Sequence, residues 1–165
     1  MTGSLAYRRP GSPSAAVFAL LAFIAVVAAV AVIGGLASAS ASGQYAGFVQ
    51  PSWAPPAWLF GPAWTVLYLT IAVSGWLVWR RAGLTWPAHA VYAVQLVLNL
   101  AWSPLFFGAG WFGLAFAEIV LLWLSIVATI VLFARISRPA AWLLVPYLGW
   151  VTFAAGLNLA IWQLN

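Results

Sequence analysis

The sequence predicts an all-α integral membrane protein, a single-domain bundle of five transmembrane helices. Of its 165 residues, 66% are hydrophobic and 4% are charged, whereas soluble domains carry about 25% charged residues. The mean hydropathy of +1.07 leaves too little polar surface to dissolve a soluble fold. Five long apolar stretches and the placement of the arginines complete the argument. The composition argues against a soluble enzyme and against a nucleic-acid-binding domain, despite the net charge of +5.

The five apolar stretches are each long enough to cross ~30 Å of hydrocarbon, which takes about 20 residues of helix. They run over residues 14–36, 57–79, 86–107, 111–134 and 140–163. We therefore expect a cytoplasmic N-terminal tail over residues 1–13 and one five-helix domain over residues 14–165. An outer loop over residues 37–56 joins the first two spans.

Prolines and glycines predict where the spans begin and break. Pro87 and Pro139 suit the first turn of a helix, and Gly108 and Gly110 allow a tight reversal between the third and fourth spans. Three other prolines fall inside apolar stretches: Pro62, Pro104 and Pro146. We expect these three to kink their helices and to free backbone carbonyls.

The arginines predict the orientation, because basic residues favour the cytoplasmic side. They precede the first span, separate the second from the third, and separate the fourth from the fifth: Arg8, Arg9, Arg80, Arg81, Arg135 and Arg138. With five spans, all six lie on one side. The rule then places the N-terminus in the cytoplasm and the C-terminus outside, as expected for a protein of the bacterial inner membrane.

The first apolar stretch has an alternative interpretation as a cleaved secretory signal. It follows Arg8 and Arg9 and precedes an Ala/Ser run over residues 37–41 that has A-x-A spacing. Signal sequences have an apolar core of about 7–15 residues. Because the stretch over residues 14–36 is longer, a retained membrane helix is the favoured interpretation.

Conventional catalytic and metal-binding motifs are missing from the sequence. The run over residues 108–113 spells G-x-G-x-x-G, but it joins two membrane helices and does not follow a strand, as a dinucleotide site requires. Glu118 is the single carboxylate and suits either a structural or a proton-handling role. His89 has no second ligand at metal spacing, and there is no cysteine. We expect no metal site and no required cofactor.

The twelve tryptophans divide into two groups. Eight suit the membrane borders, where indole rings are common: Trp53, Trp58, Trp76, Trp79, Trp86, Trp111, Trp142 and Trp162. Four lie deeper: Trp64, Trp102, Trp123 and Trp150. Trp64, Trp102 and Trp150 lie on three of the helices, together with Tyr68, Asn99 and Asn158. Aromatic rings and amides from these three helices occur at overlapping depths in the outer half. They either pack the bundle or wall a pocket for a flat, apolar ligand.

Four runs carry a family resemblance: PSWAPPAW (residues 51–58), PAWTVLY (62–68), QLVLNLAWSPLFFG (95–108) and PYLGWVTFAAGLN (146–158). They resemble the TspO/MBR family of tryptophan-rich sensory proteins and translocator proteins, over roughly residues 43–165. The resemblance implies a five-helix bundle, usually a homodimer, that binds porphyrins and, in some members, sterols. It also implies a pocket roofed by the loop after the first span.

The resemblance also implies site residues. Trp64 and Trp150 match pocket tryptophans linked to porphyrin binding and to light-dependent porphyrin breakdown, so they are the catalytic candidates if such breakdown occurs. Six further positions match ligand-binding positions: Tyr45, Tyr68, Asn99, Trp102, Ala154 and Leu157. Small residues on the third span, such as Ala90 and Ala93, suit the close helix contact of a homodimer.

The sequence departs from the family at the roof of the implied pocket. Gln44 replaces the tryptophan of a Trp-Tyr pair, and Gln50 replaces the lysine usual before Pro51. These changes predict a weaker contact with porphyrin carboxylates. Sterol binding is not expected, because the motif L/V-x-Y-x-K/R needs a basic residue late in the chain and none follows Arg138. The one match, over residues 5–9, lies in the tail.

Three functional hypotheses follow from these observations. The first is a membrane-embedded protein that binds a porphyrin-type tetrapyrrole in an aromatic pocket and acts as a sensory or regulatory protein. The second is a light-dependent enzyme that degrades the bound porphyrin, whose reactivity would belong mostly to the ligand. The third is a porphyrin or sterol transporter, for which the sequence offers no intramembrane charge pair and no inverted repeat.

Overall fold

The computed structural model describes residues 12–37 and 41–165, and within them the chain forms helices and no strands. The helices are α1 Pro13–Ala37, α2 Ala41–Gly47, α3 Phe60–Ala82, α4 Ala88–Ser103, α5 Phe112–Ala134, α6 Arg138–Leu143 and α7 Val145–Leu164. A 3₁₀ turn over Ala57–Leu59 leads into α3, and a π-helical turn over Pro104–Gly108 follows α4. Residues 1–11 of the predicted tail, with Arg8 and Arg9, lie outside the described residues.

Five helical stretches within the described residues are long and apolar enough to cross a membrane: Pro13–Leu36, Ala57–Ala82, Ala88–Gly108, Phe112–Ala134 and Arg138–Leu164. The prediction of an all-α bundle with five spans is therefore confirmed. The last stretch differs from the single helix that the sequence predicted, since it consists of α6 and α7 joined at Leu144.

The three prolines inside the apolar stretches lie at helix boundaries, and two of them, Pro104 and Pro146, adjoin the points where the third and fifth stretches are interrupted. Pro62 occupies the first turn of α3, where a missing N–H costs no intrahelical hydrogen bond. Pro104 begins the π-helical turn, and its carbonyl accepts from the N–H of Ala109 at 2.9 Å. Pro146 lies in the first turn of α7, directly after the break that separates α7 from α6.

The helices form a closed ring, because each spanning stretch contacts two neighbours. Helix α1 contacts α3 and α4, α3 contacts α6 and α7, α7 contacts α5, and α5 contacts α4. The centre of the ring holds fully buried apolar side chains such as Ile71, Ile126 and Val151. Many large apolar side chains instead point outward, among them Phe18 at 72% exposure and Val97 at 66%. Such a surface is suited to lipid.

Two glycines allow helices to approach closely. A Cβ added at Gly75 would lie 2.8 Å from the ring of Phe23 and 2.9 Å from the ring of Tyr92. Gly75 therefore lets α1 and α4 both contact α3. At the other end, a Cβ on Gly113 would lie 2.8 Å from the Trp162 ring, so a glycine is required where α5 meets α7.

The two ends of the bundle differ in charge. At one end, Arg81 Nη1 donates to the carbonyl of Ile136 at 3.2 Å, which brings the end of α3 to the segment between α5 and α6. At the other end, the Asn165 side chain accepts from the Val49 N–H at 3.0 Å and donates to the Val49 carbonyl at 3.1 Å. The four described arginines thus share one end, as the predicted five-span topology requires.

Candidate functional site

A roof segment, residues 43–59, covers the end of the bundle that carries no arginine. Tyr45 is 4% exposed, and its hydroxyl donates to the carbonyl of Pro55 at 3.2 Å. The Gln50 amide donates to the carbonyl of Tyr45. The glutamine at position 50 therefore forms a hydrogen bond within the roof segment. The Tyr45 phenol is protonated at neutral pH, and burial raises its pKa further above the ordinary value.

Next to the roof lies a cavity of about 390 Å³, bounded by α1, α3 and α4. Its size falls in the range of small-molecule sites. Aromatic, small and uncharged polar residues line it: Ala31, Gly34, Gly35, Tyr45, Ala57, Phe60, Gly61, Trp64, Thr65, Tyr68, Asn99, Trp102, Ser103 and Phe107. No charged side chain of the described residues is part of this lining.

A hydrogen-bonded chain fixes one wall of the cavity. The Trp64 ring stacks on Tyr68 with centroids 5.2 Å apart and an interplanar angle of 29°. The Tyr68 hydroxyl donates to Asn99 Oδ1 at 2.8 Å, and Asn99 Nδ2 donates to the Tyr147 hydroxyl at 3.1 Å. This chain joins α3, α4 and α7 and satisfies an amide that is costly to bury unbonded.

A second set of hydrogen bonds holds Trp102. Its Nε1 donates to Asn158 Oδ1 at 3.1 Å, and Asn158 Nδ2 donates to the carbonyl of Phe112 at 2.9 Å. The Trp102 ring also stacks on Phe106 with centroids 4.9 Å apart. Both intramembrane asparagines are buried, and the side chain of each is hydrogen-bonded to residues of other helices.

The structure brings five of the eight expected ligand positions together around the cavity: Tyr45, Trp64, Tyr68, Asn99 and Trp102. The other three, Trp150, Ala154 and Leu157, are not part of this lining. The Trp150 ring is 6.0 Å from Phe60 and 5.7 Å from Phe153, centroid to centroid. Trp150 is therefore next to a residue of the lining, Phe60, without lining the cavity itself.

Ala154 and Leu157 support the site from α7. Ala154 is buried in the central core. Leu157 packs in the same apolar cluster as Tyr45 and Phe106, directly next to the roof. Their role as ligand positions stays a prediction of the family resemblance.

Sequence reasoning missed three contributors to the site. Phe60 looked like one more apolar residue of the second span. Tyr147 was not singled out, although a phenol within a membrane span needs a buried partner. The Gly34-Gly35 pair on α1 lines the cavity, and adjacent glycines in an apolar helix were the available signal that another group approaches there.

Glu118 and His89 lie apart from the cavity lining. Glu118 is 8% exposed, and neither carboxylate oxygen has a hydrogen-bond partner. His89 Nδ1 accepts from the N–H of Thr85 at 3.0 Å, close to the first turn of α4. Within residues 12–37 and 41–165, no three His, Cys, Asp or Glu side chains lie close enough to bind a metal ion.

Comparison with known proteins identifies the family. A model of the TspO/MBR family matches residues 22–163. The chain belongs to the TspO/MBR family. Family membership and the five apolar helices together make it an integral membrane protein.

Individual relatives of the TspO/MBR family agree over most of the chain. The tryptophan-rich protein TspO of Chlorobaculum tepidum is 47% identical over 131 residues, 76% of this chain and 81% of that protein. The translocator protein of Homo sapiens is 42% identical over 125 residues, 73% of this chain and 74% of that protein. The tryptophan-rich sensory protein of Cereibacter sphaeroides is 39% identical over 121 residues, 73% of this chain and 76% of that protein.

Proposed function

We propose that this TspO/MBR-family protein binds a porphyrin-type tetrapyrrole in the cavity and acts as a sensory or regulatory protein of the membrane. The observation that carries the proposal is the lining itself, in which Trp64, Tyr68 and Trp102 supply aromatic surface beside a space of about 390 Å³. Aromatic surfaces favour a flat, apolar ring system through burial and offset stacking.

Polar groups of the lining suit the orientation of such a ligand. Thr65 and Ser103 each offer a hydroxyl at the cavity, and the Tyr68–Asn99 pair is held in place by the chain that ends on Tyr147. Preorganised donors and acceptors of this kind fix a ligand without the entropic cost of ordering the side chains.

Titration of the purified protein with protoporphyrin IX tests the proposal. We expect tryptophan fluorescence to be quenched at micromolar porphyrin, and Trp64→Ala to weaken binding at least about tenfold, because a buried aromatic contact is lost. Trp86→Phe is the matched control, since Trp86 is 87% exposed and far from the lining. No quenching, or equal loss in both variants, would contradict the proposal.

Light-dependent porphyrin degradation is a second candidate, favoured by the stacked Trp64–Tyr68 pair at the cavity. Aerobic illumination of the bound porphyrin, followed by absorbance, tests it. We expect Trp64→Phe to slow the spectral decay more than Trp150→Phe does, since Trp64 lines the cavity and Trp150 does not. Decay at the rate of free porphyrin in the wild-type protein would dismiss this activity.

We propose the bacterial inner membrane as the location, with the arginine end in the cytoplasm, and a homodimer as the assembly. The arginine placement supports the orientation.

For the homodimer, α4 offers the small residue Ala93 beside Val94 and Val97 on an exposed face. Ala93→Trp should reduce the dimer fraction in mild detergent, measured by light scattering, while Val120→Trp on the exposed surface of α5 should leave it unchanged.

A further inference from the structure

A second hollow lies at the opposite end of the bundle from the roofed cavity. It has a volume of about 410 Å³ and is bounded by the end of α5, by α6 and by the start of α7. Six residues line it: Ile130, Ala134, Arg138, Ala141, Trp142 and Val145. Trp142 is 71% exposed and Val145 is 40% exposed, so the hollow is a groove on the outer surface of the bundle.

The groove has a cationic rim that the chain itself does not neutralise. Glu118 is the single Asp or Glu of the sequence, and it is buried in α5 about 24 Å along the helix from the end of that helix. Arg138 lies in the lining and Arg135 follows α5 directly. No aspartate or glutamate of the chain can therefore form an ion pair with Arg135 or Arg138.

The other described arginines at this end have different surroundings. Arg81 donates to the carbonyl of Ile136 at 3.2 Å. The Arg80 guanidinium lies over the Trp76 ring, 4.7 Å from its centroid. Arg138 is thus distinguished by its place in an apolar groove, and Arg80 provides a matched comparison of equal charge at the same end.

The rest of the groove is apolar. The small side chains of Ala134 and Ala141 create the space of the hollow. Ile130 and Val145 extend its apolar lining toward the middle of the spans. Trp142 lies at the membrane border, where indole rings are common because they contact both lipid and water. An inorganic anion would use the arginine alone, whereas an anionic lipid would use the arginine, the ring and the apolar floor.

We propose that this groove binds one anionic phospholipid. Arg138 receives the phosphate, Trp142 contacts the glycerol region, and an acyl chain lies between Ile130 and Val145. Basic pockets between membrane helices on the cytoplasmic side are suited to anionic headgroups. The site is separate from the roofed cavity and does not depend on tetrapyrrole binding.

Native mass spectrometry of the full chain in detergent, with added dioleoyl phosphatidylglycerol or dioleoyl phosphatidylcholine, tests the proposal. We expect the first adduct of phosphatidylglycerol to be retained preferentially, and Arg138→Gln to weaken its retention roughly fivefold, as one arginine at a lipid surface predicts. Arg80→Gln should keep the preference. Ala134→Phe, which fills the groove at an exposed position without changing charge, should reduce retention of phosphatidylglycerol as well.

Several results would overturn the proposal. Unchanged retention in both groove variants, or equal loss in Arg138→Gln and Arg80→Gln, would mean that lipid binds by general positive charge. Loss of the preference for phosphatidylglycerol when inorganic phosphate is added would mean that Arg138 binds a free anion and not a lipid. A change of oligomeric state in Arg138→Gln and Ala134→Phe without any lipid dependence would mean that a second copy covers the groove. Circular dichroism melting of each variant confirms that it is folded.

Discussion

Asn99 joins three helices through its side chain, since its oxygen accepts from Tyr68 and its nitrogen donates to Tyr147. We expect Asn99→Leu to leave the buried Tyr147 hydroxyl unpaired and to destabilise the protein by about 1–3 kcal/mol. Thermal unfolding in detergent measures this. Tyr68→Phe is the control and should cost less, because the deeply buried Asn99–Tyr147 bond remains. A smaller effect of Asn99→Leu than of Tyr68→Phe would contradict this account.

The cavity lining predicts how porphyrin carboxylates contribute. No charged side chain of the described residues lines the cavity, and the Gln50 amide is already engaged with the Tyr45 carbonyl. We therefore expect protoporphyrin IX and its dimethyl ester to bind within roughly threefold of each other, which is below 1 kcal/mol. Gln50→Lys should restore a preference for the free acid in the same fluorescence titration. A strong preference of the wild-type protein for the free acid would refute this prediction.

Glu118 is a buried carboxyl group without a hydrogen-bond partner among the described residues. Burying such a group unpaired is costly, so we expect Glu118→Leu to raise the melting temperature in detergent. The same logic applies to Gln95, which is 1% exposed and whose amide is also without a partner. A lowered melting temperature in Glu118→Leu would instead indicate that the carboxyl group contributes a stabilising contact.

At the scale of helices, glycine positions test how closely the elements pack. Gly75→Ala would place a methyl group against the rings of Phe23 and Tyr92, and overpacking of this kind costs about 1–3 kcal/mol. Gly149→Ala is the matched control, because nothing lies within 4 Å of a Cβ at that position of α7. We expect only Gly75→Ala to lower the melting temperature. Equal effects of the two variants would show that α1 and α4 adjust freely.

The spans were predictable because length and hydropathy determine them, and five observed stretches match five predicted ones. The break between α6 and α7 was not, since Leu144 lies in a continuous apolar run and only Pro146 hinted at it. The helix α2 was also missed. Its residues Gly43 and Gln44 carry no apolar period, and its position depends on contacts of Tyr45 with distant parts of the chain.

The site was predictable only in part, because the sequence gives the depth of a residue in its span but not the direction of its side chain. Trp64 and Tyr68 lie one turn apart on α3, and Asn99 on α4 lies at the depth of Tyr68, from which it accepts a hydrogen bond. All three therefore line one cavity. Depth along a helix is readable from sequence, whereas the direction of a side chain around the ring is set by packing. Trp150 has a suitable depth, yet it is not part of the cavity lining.

At the scale of the whole molecule, the separation of charge predicts topology. The chain has no cysteine, so single cysteines can be introduced cleanly. On intact cells, a membrane-impermeant maleimide should label Ala109→Cys, in the exposed turn before α5, and should not label Leu84→Cys, which is 76% exposed at the arginine end. After cell lysis both should react. The reverse pattern would invert the proposed orientation.

Helix α1 is the wall of the cavity that the rest of the protein holds least. Among its described side chains only Val27 is buried, yet Gly34 and Gly35 near its roof end line the cavity. With 25 residues it is about 37 Å long, so we expect it to tilt in a hydrocarbon layer of ~30 Å. A thinner or thicker bilayer should change that tilt and, with it, the width of the cavity. We therefore expect the affinity for the proposed tetrapyrrole to depend on the acyl chain length of the bilayer.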